Sequence, residues 1–363
     1  MTIKSELNRR EFLRVGGVAG LSIAGLSVLP LLDACGGTTT PTATGGTLES
    51  RAKAEGGQLT LYWADTASAK TCTDGFQKAY PWAKVNVVIN NTQNIASKVL
   101  LEHRAGATAA DVLQAASAQV PVYVAAGAIK QVQIPNDVNV PAAFVDPTGY
   151  GHVQYQTLQV LNYNTNLIKS PPPGDIFEYA NSSWRNKMAF DQPQNRGASA
   201  LFLASHRKAW GDTKWMQWLQ GLKANNILLT ATGTAAYEAV LAGERSICNA
   251  GVDDFLAQKP GTPVASVYYF GCPSYLTQLL KTNGAPHTNT ADLFINWCVS
   301  PDGQLAIASD AGGTHGPVLN IDSPASLGKL LPSGVQPATI ADMTDFYDNP
   351  DSYVQIWNTL WPT

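Results

Sequence analysis

Short apolar runs alternate with longer amphipathic stretches along most of the chain. Gln58–Trp63, Val85–Ile89 and Ala110–Ala115 have the length and the β-branched or aromatic content of strands. Between them, segments that end near Tyr80 and Arg104 carry apolar residues at helical spacing. Strands separated by about 10–15 helical residues predict βαβ units and a mostly parallel sheet.

The alternation resumes after an interruption. From Gly151 to Tyr163 polar and apolar residues alternate as in a strand, and Pro171–Gly174 then makes a rigid break. The elements predicted beyond it are strands at Met188–Asp191, Arg245–Asn249 and Pro263–Tyr269, and helices at about Ala198–Ala209, Ala235–Ala242, Thr290–Val299 and Gly303–Ala311. The segment from Trp215 to Leu222 has helical spacing, and its tryptophans are predicted to be core. Two α/β series in a chain of 363 residues indicate two lobes.

The first 34 residues have a different pattern, that of an export signal. Arg9 and Arg10 are adjacent, and the run from Val15 to Leu32 has no charged residue. The paired arginines are typical of signals for the twin-arginine export route. The run is barely long enough for a membrane-spanning helix, and it is rich in glycine. A signal peptide is therefore the favoured interpretation.

Cys35 ends this segment in the order Leu32-Asp33-Ala34-Cys35, which resembles a bacterial lipobox. The resemblance implies that Cys35 begins the mature protein and carries a lipid, which anchors proteins to a bilayer with roughly 0.8 kcal/mol per buried methylene. The Gly, Thr and Pro that follow cannot build a core, so residues 35–56 are predicted to be a flexible tether. A disulfide is the alternative role for Cys35. The predicted location is the outer face of the cell membrane, or its periplasmic side.

The charge balance and the other cysteines indicate which partners and metal sites are not expected. The chain has 24 Lys and Arg against 27 Asp and Glu and no basic run, so nucleic acid is not an expected partner. Cys72, Cys248, Cys272 and Cys298 lack the C-x₂-C spacing of a zinc site, and no metal or cofactor is predicted. Up to two disulfides are possible, with Cys248–Cys272 and Cys272–Cys298 both plausible pairs.

The order of several segments resembles that in extracellular solute-binding proteins of ABC importers, in the class with ferric-ion, thiamine, polyamine and phosphonate binders. The segments are LTLYWADTASAKTCTDGFQKAYPWAKVNVV (59–88), ADVLQAAS (110–117), LNYNTNLI (161–168), AAYEAVLAGERSICNAG (235–251), GTPVASVYYFG (261–271) and FINWCVSPDGQLAIASDAGG (294–313). The resemblance implies a two-lobed α/β fold of the type II periplasmic-binding-protein kind. In that fold two mostly parallel sheets, flanked by helices, are joined by a two-strand hinge.

Mapped onto this chain, the resemblance implies lobe 1 at 57–163, lobe 2 at 164–267, and completion of lobe 1 with C-terminal helices at 268–363. The hinge crossings fall at Leu161–Asn166 and Val267–Gly271. Lobe closure over a ligand is a known switching mode. The implied function is capture of a small solute by a monomer and its delivery to an ABC permease, without enzymatic activity.

Two other functions remain as alternatives. A ligand-sensing or adhesive surface protein could use the same scaffold. A secreted hydrolase is more distant, because the sequence contains no G-x-S-x-G elbow, no H-E-x-x-H motif and no P-loop.

Ligands in open parallel sheets bind beyond the carboxyl ends of strands, where helix N-termini offer free N–H groups. Five loops satisfy this rule, and the two hinge crossings that the resemblance implies add further candidates. The predicted ligand-binding residues are Asp65, Thr66, Ser68, Ser117, Gln194, Arg196, Ser199, Thr232 and Asn249 in the loops, with Tyr163, Tyr268 and Tyr269 on the crossings.

Other roles are open for several of these residues. Thr66, Ser68 and Ser117 suit helix caps as well as ligand contacts. Arg196 suits either a clamp for a carboxylate or phosphate or a solvated surface charge. Adjacent strand residues point to opposite faces, so only one of Tyr268 and Tyr269 is expected to face the cleft.

The ligand itself is left open between an iron complex, a polyamine, thiamine, a phosphonate and another small polar organic molecule. Ferric binders of this class place two consecutive tyrosines after the strand that follows the A-x-G-E segment. Here that place reads Asn249-Ala-Gly-Val-Asp-Asp-Phe255, without tyrosine. Direct phenolate coordination of Fe³⁺ is therefore not expected, whereas chelated iron or an organic ligand fits.

Overall fold

A computed structural model gives the fold of this chain. It describes residues 46–64, 66–146, 148–309, 315–338 and 341–362. From Gly46 onward the chain forms one compact unit. The predicted export signal with Arg9 and Arg10, the predicted lipidation site Cys35 and the predicted ligand contact Asp65 lie outside the described residues.

The described residues form ten strands in one mixed sheet. The strands are β1 Gln58–Trp63, β2 Lys84–Ile89, β3 Val112–Ala116, β4 Ile129–Lys130, β5 Gly151–Asn164, β6 Met188–Asp191, β7 Leu228–Thr230, β8 Ile247–Gly251, β9 Val264–Val267 and β10 Ser274–Thr282. Their order is β2-β1-β3-β10-β5-β8-β6-β7, with β4 beside β10 and β9 beside β5. β1 is parallel to β2 and β3, and β6 is parallel to β7 and β8. The predicted α/β fold is confirmed, but the sheet is mixed rather than mostly parallel, because β10 is antiparallel to β3, β4 and β5, and β5 is antiparallel to β8 and β9.

Thirteen α-helices connect or flank these strands in the described part of the chain. They are α1 Leu48–Ala54, α2 Thr66–Ala79, α3 Thr92–Arg104, α4 Val120–Ala125, α5 Ala198–Ala204, α6 Arg207–Ala224, α7 Gly233–Leu241, α8 Val252–Leu256, α9 Thr288–Cys298, α10 Pro301–Ala308, α11 Leu327–Leu330, α12 Thr344–Asp348 and α13 Pro350–Leu360. None of these helices combines the length and the apolar character needed to cross a bilayer.

Strand β5 joins two halves of the sheet. Up to Leu158 it pairs with β10, and from Gln159 onward it pairs with β8 and β9. We call β2-β1-β3-β10 with the start of β5 the first half, and the end of β5 with β8-β6-β7 the second half. A second connection between the two halves is the segment from the end of β9 to the start of β10. The change of partner on β5 lies before the predicted crossing at Leu161–Asn166, because the strand residues of that segment already pair with β8 and β9.

Each half of the sheet has its own apolar core. The first core contains Trp63, Phe76 and Phe294 from β1, α2 and α9. The second contains Trp218 of α6 and Trp357 of α13. Both are fully buried, and Trp218 donates its indole N–H to the Ile176 carbonyl at 2.9 Å. The predicted core role of the tryptophan-rich segment is confirmed, while the exact lobe boundaries stay a prediction.

The end of the segment predicted as a tether is helical. Thr47 caps α1 by accepting the Ser50 N–H, and Ala52 is fully buried against the first core. Glu55, just after α1, accepts the backbone N–H groups of Asn289 and Thr290 at 2.9 Å, at the start of α9. This carboxylate at a helix N-terminus and the burial of Ala52 hold residues 48–54 on the folded unit.

The helix predicted over about Ala198–Ala209 is two helices. α5 ends at Ala204, and α6 begins at Arg207 and breaks again at Gly211, whose φ of 74° is in the left-handed region. The side chain of His206, between the helices, lies 3.0 Å from the Phe270 carbonyl through Nε2 and 2.7 Å from the Ser205 hydroxyl through Nδ1. Burial lowers the pKa of His206. The break thus brings the α5–α6 junction against the connection between β9 and β10.

The cysteines at 72, 248, 272 and 298 are buried free thiols. Burial raises the pKa of Cys298 well above its usual value, and a hydrogen bond with Cys72 raises it further. The structure therefore brings together Cys72 and Cys298, a pair that chain spacing did not single out.

Candidate functional site

The loops that follow β6, β7 and β8 meet at one edge of the second half of the sheet. A Cβ at Gly233 would lie 3.5 Å from the Ala198 Cβ and 3.9 Å from the Ala250 Cα. The start of α7 therefore lies close to the start of α5 and to the end of β8. Thr232 caps α7 by accepting the Ala235 N–H at 3.1 Å. These are three of the loops that the sequence predicts as ligand contacts, and the structure brings their backbones together.

Asp191, the last residue of β6, organises the first of these loops. Its carboxylate accepts the backbone N–H of Ser199 at 2.7 Å, in the first turn of α5. Burial raises the pKa of Asp191, and the hydrogen bonds from Ser199 oppose that rise. Gly197 leaves space for the carboxylate, since a Cβ there would lie 2.4 Å from Asp191 Oδ2. Asp191 is not among the residues predicted from the sequence, because it reads there as an ordinary strand end.

Gln194 and Arg196 face the C-terminal helix. Gln194 donates its amide N–H to the Trp361 carbonyl at 2.8 Å, and the Arg196 guanidinium pairs with the Asp351 carboxylate of α13. Arg196 has a φ of 57°, which directs the chain around the turn. Its role as a clamp for a ligand anion stays a prediction, and it requires the pair with Asp351 to open.

The loop after β8 contains a buried amide and two carboxylates. Asn249 is fully buried and donates to the Val160 carbonyl at 3.1 Å, while its Oδ1 has no hydrogen-bond partner among the described residues. Burial and the charge of Asp253 raise the pKa of Asp254 to about 7. Asp254, at this edge of the second half of the sheet, therefore changes its charge near neutral pH. No group of three or more His, Cys, Asp or Glu in the described part of the chain is placed to hold a metal ion.

The two predicted contacts on α2 differ in their surroundings. Thr66 begins α2 and is exposed. Ser68 is fully buried, and its hydroxyl accepts the Trp63 indole N–H at 2.9 Å and the Gln114 amide N–H at 3.3 Å. Ser68 thus fixes α2 to β1 and β3, so its contact with a ligand, still a prediction, would need this network to rearrange.

The tyrosines of the crossings pack against the second core. Tyr163 and Tyr269 are buried, and Tyr269 donates its hydroxyl to the Gln159 carbonyl at 3.3 Å. Tyr268 is only partly buried, and desolvation raises the pKa of both adjacent tyrosines. Tyr268 is therefore the member of the pair with access to solvent.

Ser117 lies at a cavity of about 1040 Å³. Its hydroxyl accepts the Gln278 amide N–H at 2.6 Å and donates to the Leu276 carbonyl at 3.2 Å. The cavity is bounded by α4, by the segment 137–150 and by α12. Its volume is at the upper end of the range typical of small-molecule sites, roughly 300–1,000 Å³.

Among the predicted contacts that the structure describes, only Ser117 lines this cavity. The carboxyl-edge rule found Ser117 because it follows β3. Gln278 belongs to a strand that the pattern did not predict. Tyr347 and Asp348 lie in α12, in the C-terminal part of the chain, where the sequence shows no regular pattern. Burial, and to a smaller extent the charge of Asp191, raise the pKa of Tyr275 to about 12.

Comparison with known proteins gives a family match. Residues 71–324 match the family described as bacterial extracellular solute-binding protein. No curated protein matches the chain by sequence.

Several solved structures share the fold. Iron-bound HitA from Pseudomonas aeruginosa is 20% identical with a TM-score of 0.70, and the match covers 83% of this chain and 99% of that one. AfuA from Actinobacillus pleuropneumoniae, with fructose-6-phosphate bound, is 19% identical with a TM-score of 0.70, covering 83% and 98%. A periplasmic thiamin binding protein is 19% identical with a TM-score of 0.67, covering 84% and 96%. At these identities the similarity establishes the type II periplasmic-binding-protein fold.

Proposed function

The chain belongs to the family of bacterial extracellular solute-binding proteins, and from that premise we propose that it captures one small solute between the halves of its sheet and delivers it to an ABC permease. The family is one of binding proteins, with a small-molecule ligand and an ABC transporter as the implied partners. The observation that carries the proposal is the family match, which includes strands of both halves of the sheet, β5 and the segment between β9 and β10.

The arrangement of the site supports capture rather than chemistry. Predicted contact loops lie on both halves of the sheet. The halves are connected by β5, by the segment between β9 and β10, and by the chain that runs from Val318 in the first core to Leu330 in the second. A ligand that touches both halves would favour the closed form, and a permease would recognise that form. In this proposal the protein acts as a monomer, without a cofactor and without nucleic acid.

The candidates for the solute remain an iron complex, a polyamine, thiamine, a phosphonate and other small polar organic molecules. The solved relatives hold or are named for iron, fructose-6-phosphate and thiamin, and at 19–20% identity none of these transfers to this chain. A sensing or adhesive role on the same scaffold stays the second candidate function.

A thermal-shift panel tests the proposal. We expect one ligand among ferric chelates, thiamine, polyamines, phosphonates and sugars to stabilise the purified protein by about 1.4 kcal/mol at ten times its Kd, and more as its concentration rises. The concentration dependence separates specific binding from a general salt effect. No stabilisation by any member of the panel, or hydrolase turnover by the purified protein, would contradict capture of a solute.

We further propose that the protein is exported by the twin-arginine route and anchored through a lipid on Cys35. The supporting observations are Arg9 and Arg10 before an apolar run, and the lipobox-like order that ends at Cys35. We expect Cys35→Ala to abolish incorporation of labelled palmitate in growing cells, whereas Cys72→Ala, at a buried thiol, leaves it unchanged. Labelling that survives Cys35→Ala would remove the anchor assignment.

A further inference from the structure

The cavity beside Ser117 has mostly apolar walls. The apolar side chains that line it come from α4 and from the segment 137–150, and they are Val120, Pro121, Val124, Val138, Val140 and Val145. Val138 is 87% exposed and Val145 39% exposed, so apolar surface continues to the rim. Contiguous exposed apolar surface in a concave site is typical of ligand binding. A solute that fills this cavity needs an apolar body.

The charged groups of the cavity all have one sign. Asp137, Asp146 and Asp348 line it, and none of its described lining residues is Lys, Arg or His. Asp146 accepts the Thr148 and Gly151 N–H groups, and Asp137 lies 3.0 Å from His152 Nδ1. Each carboxylate offers about four lone-pair sites, so these bonds leave acceptor capacity. Apolar walls lower the local dielectric constant and strengthen the attraction of a cation to these groups.

Aromatic rings complete the lining. Tyr150 and Tyr347 lie on different segments around the cavity. Burial raises the pKa of Tyr347, so its ring carries a neutral phenol and not a phenolate. The faces of neutral tyrosine rings attract cations.

Resting on the proposed solute-binding function, we infer that the cavity beside Ser117 selects an organic cation with an apolar body, such as an aromatic or alkyl amine. The carboxylates and ring faces attract its charge, and the valine walls bury its apolar part. Anions such as phosphates and carboxylates are disfavoured, because they would face Asp137, Asp146 and Asp348.

Calorimetric titration with four related probes tests this inference on the purified protein. We expect phenethylamine to bind more tightly than its uncharged counterpart 2-phenylethanol and its anionic counterpart phenylacetate. Putrescine, a cation without an aromatic body, should also bind more weakly than phenethylamine. Val138→Lys places a positive charge on the exposed rim and should weaken phenethylamine binding about tenfold. Val138→Gln, of similar size and uncharged, should change it less than about twofold.

The outcomes separate this inference from the function on which it rests. Tight binding of a phosphate, a sugar or phenylacetate, with Val138→Lys and Val138→Gln equally without effect, would overturn the cationic specificity and leave solute capture intact. Failure of the amines together with the whole solute panel would overturn both. Loss of phenethylamine binding in Val138→Gln as well as in Val138→Lys would show that charge is not what the cavity selects.

Discussion

Replacing Asp111 by alanine should lower the free energy of unfolding by about 3–5 kcal/mol. Asp111 is fully buried just before β3. Its carboxylate accepts the Thr60 N–H at 2.7 Å and the His287 N–H at 2.6 Å, and lies 3.0 Å from His287 Nδ1. The change would leave two backbone donors and an imidazole without their acceptor, and would separate β1 and β3 from the start of α9.

Chemical denaturation with urea measures this loss, and Asp322→Ala is the matched control. Asp322 is 83% exposed and pairs with Lys329 at 2.6 Å. An exposed ion pair contributes about 0–1 kcal/mol, so the control should unfold near the wild-type midpoint. If Asp111→Ala and Asp322→Ala shift the midpoint equally, the buried carboxylate does not stabilise the fold as described.

Much of the first half of the sheet could be predicted from the sequence. Predicted strands at Gln58–Trp63 and Val85–Ile89 match β1 and β2 to within one residue at each end. Both are short apolar runs bounded by turns and helices, so their pattern is local. The same holds for the tryptophans of α6, whose helical spacing places Trp215 and Trp218 on one buried face.

Strand β10 could not be predicted in the same way. A bulge between Thr277 and Gln278 breaks the two-residue alternation, so Leu276 and Leu279, an odd number of residues apart, both face the first core. A regular strand would place them on opposite faces. The bulge depends on pairing with β5, more than a hundred residues away in the chain, and such pairing leaves no local pattern.

The candidate site, like the sheet, could be predicted from the local sequence only in part. The rule that ligands bind at carboxyl ends of strands selected loops that do converge, with Ala198, Gly233 and Ala250 in close approach. It did not reveal which side chains are already engaged. Arg196 pairs with Asp351 and Ser68 with Gln114, partners distant in sequence that only the folded chain brings near. The cavity wall formed by α12 was missed because the C-terminal region lacks a regular pattern.

Asp254 should destabilise the folded protein at pH 8 relative to mildly acidic solution. Burial, with the charge of Asp253, raises the pKa of Asp254 from 3.8 to about 7 in the folded state. Between these values the folded state binds more protons than the unfolded state. The contribution of Asp254 to the free energy of unfolding therefore rises as the pH falls from about 7 towards 4. Above pH 7 the carboxylate is ionised in the folded state, and its destabilising effect is fully present.

Asp254→Asn should remove this penalty because the amide is uncharged at every pH tested. We expect the variant to exceed the wild type by about 2–3 kcal/mol at pH 8, since solvent at the partly exposed carboxyl reduces the full linkage energy. At pH 4 the two should be nearly equal, because both side chains are then uncharged in the folded state. Denaturation midpoints at pH 4, 6 and 8 measure the difference, with Asp322→Asn as the exposed control. Parallel pH profiles for the wild type and Asp254→Asn would place the ionised carboxylate of Asp254 in a solvated environment and contradict its burial beside Asp253.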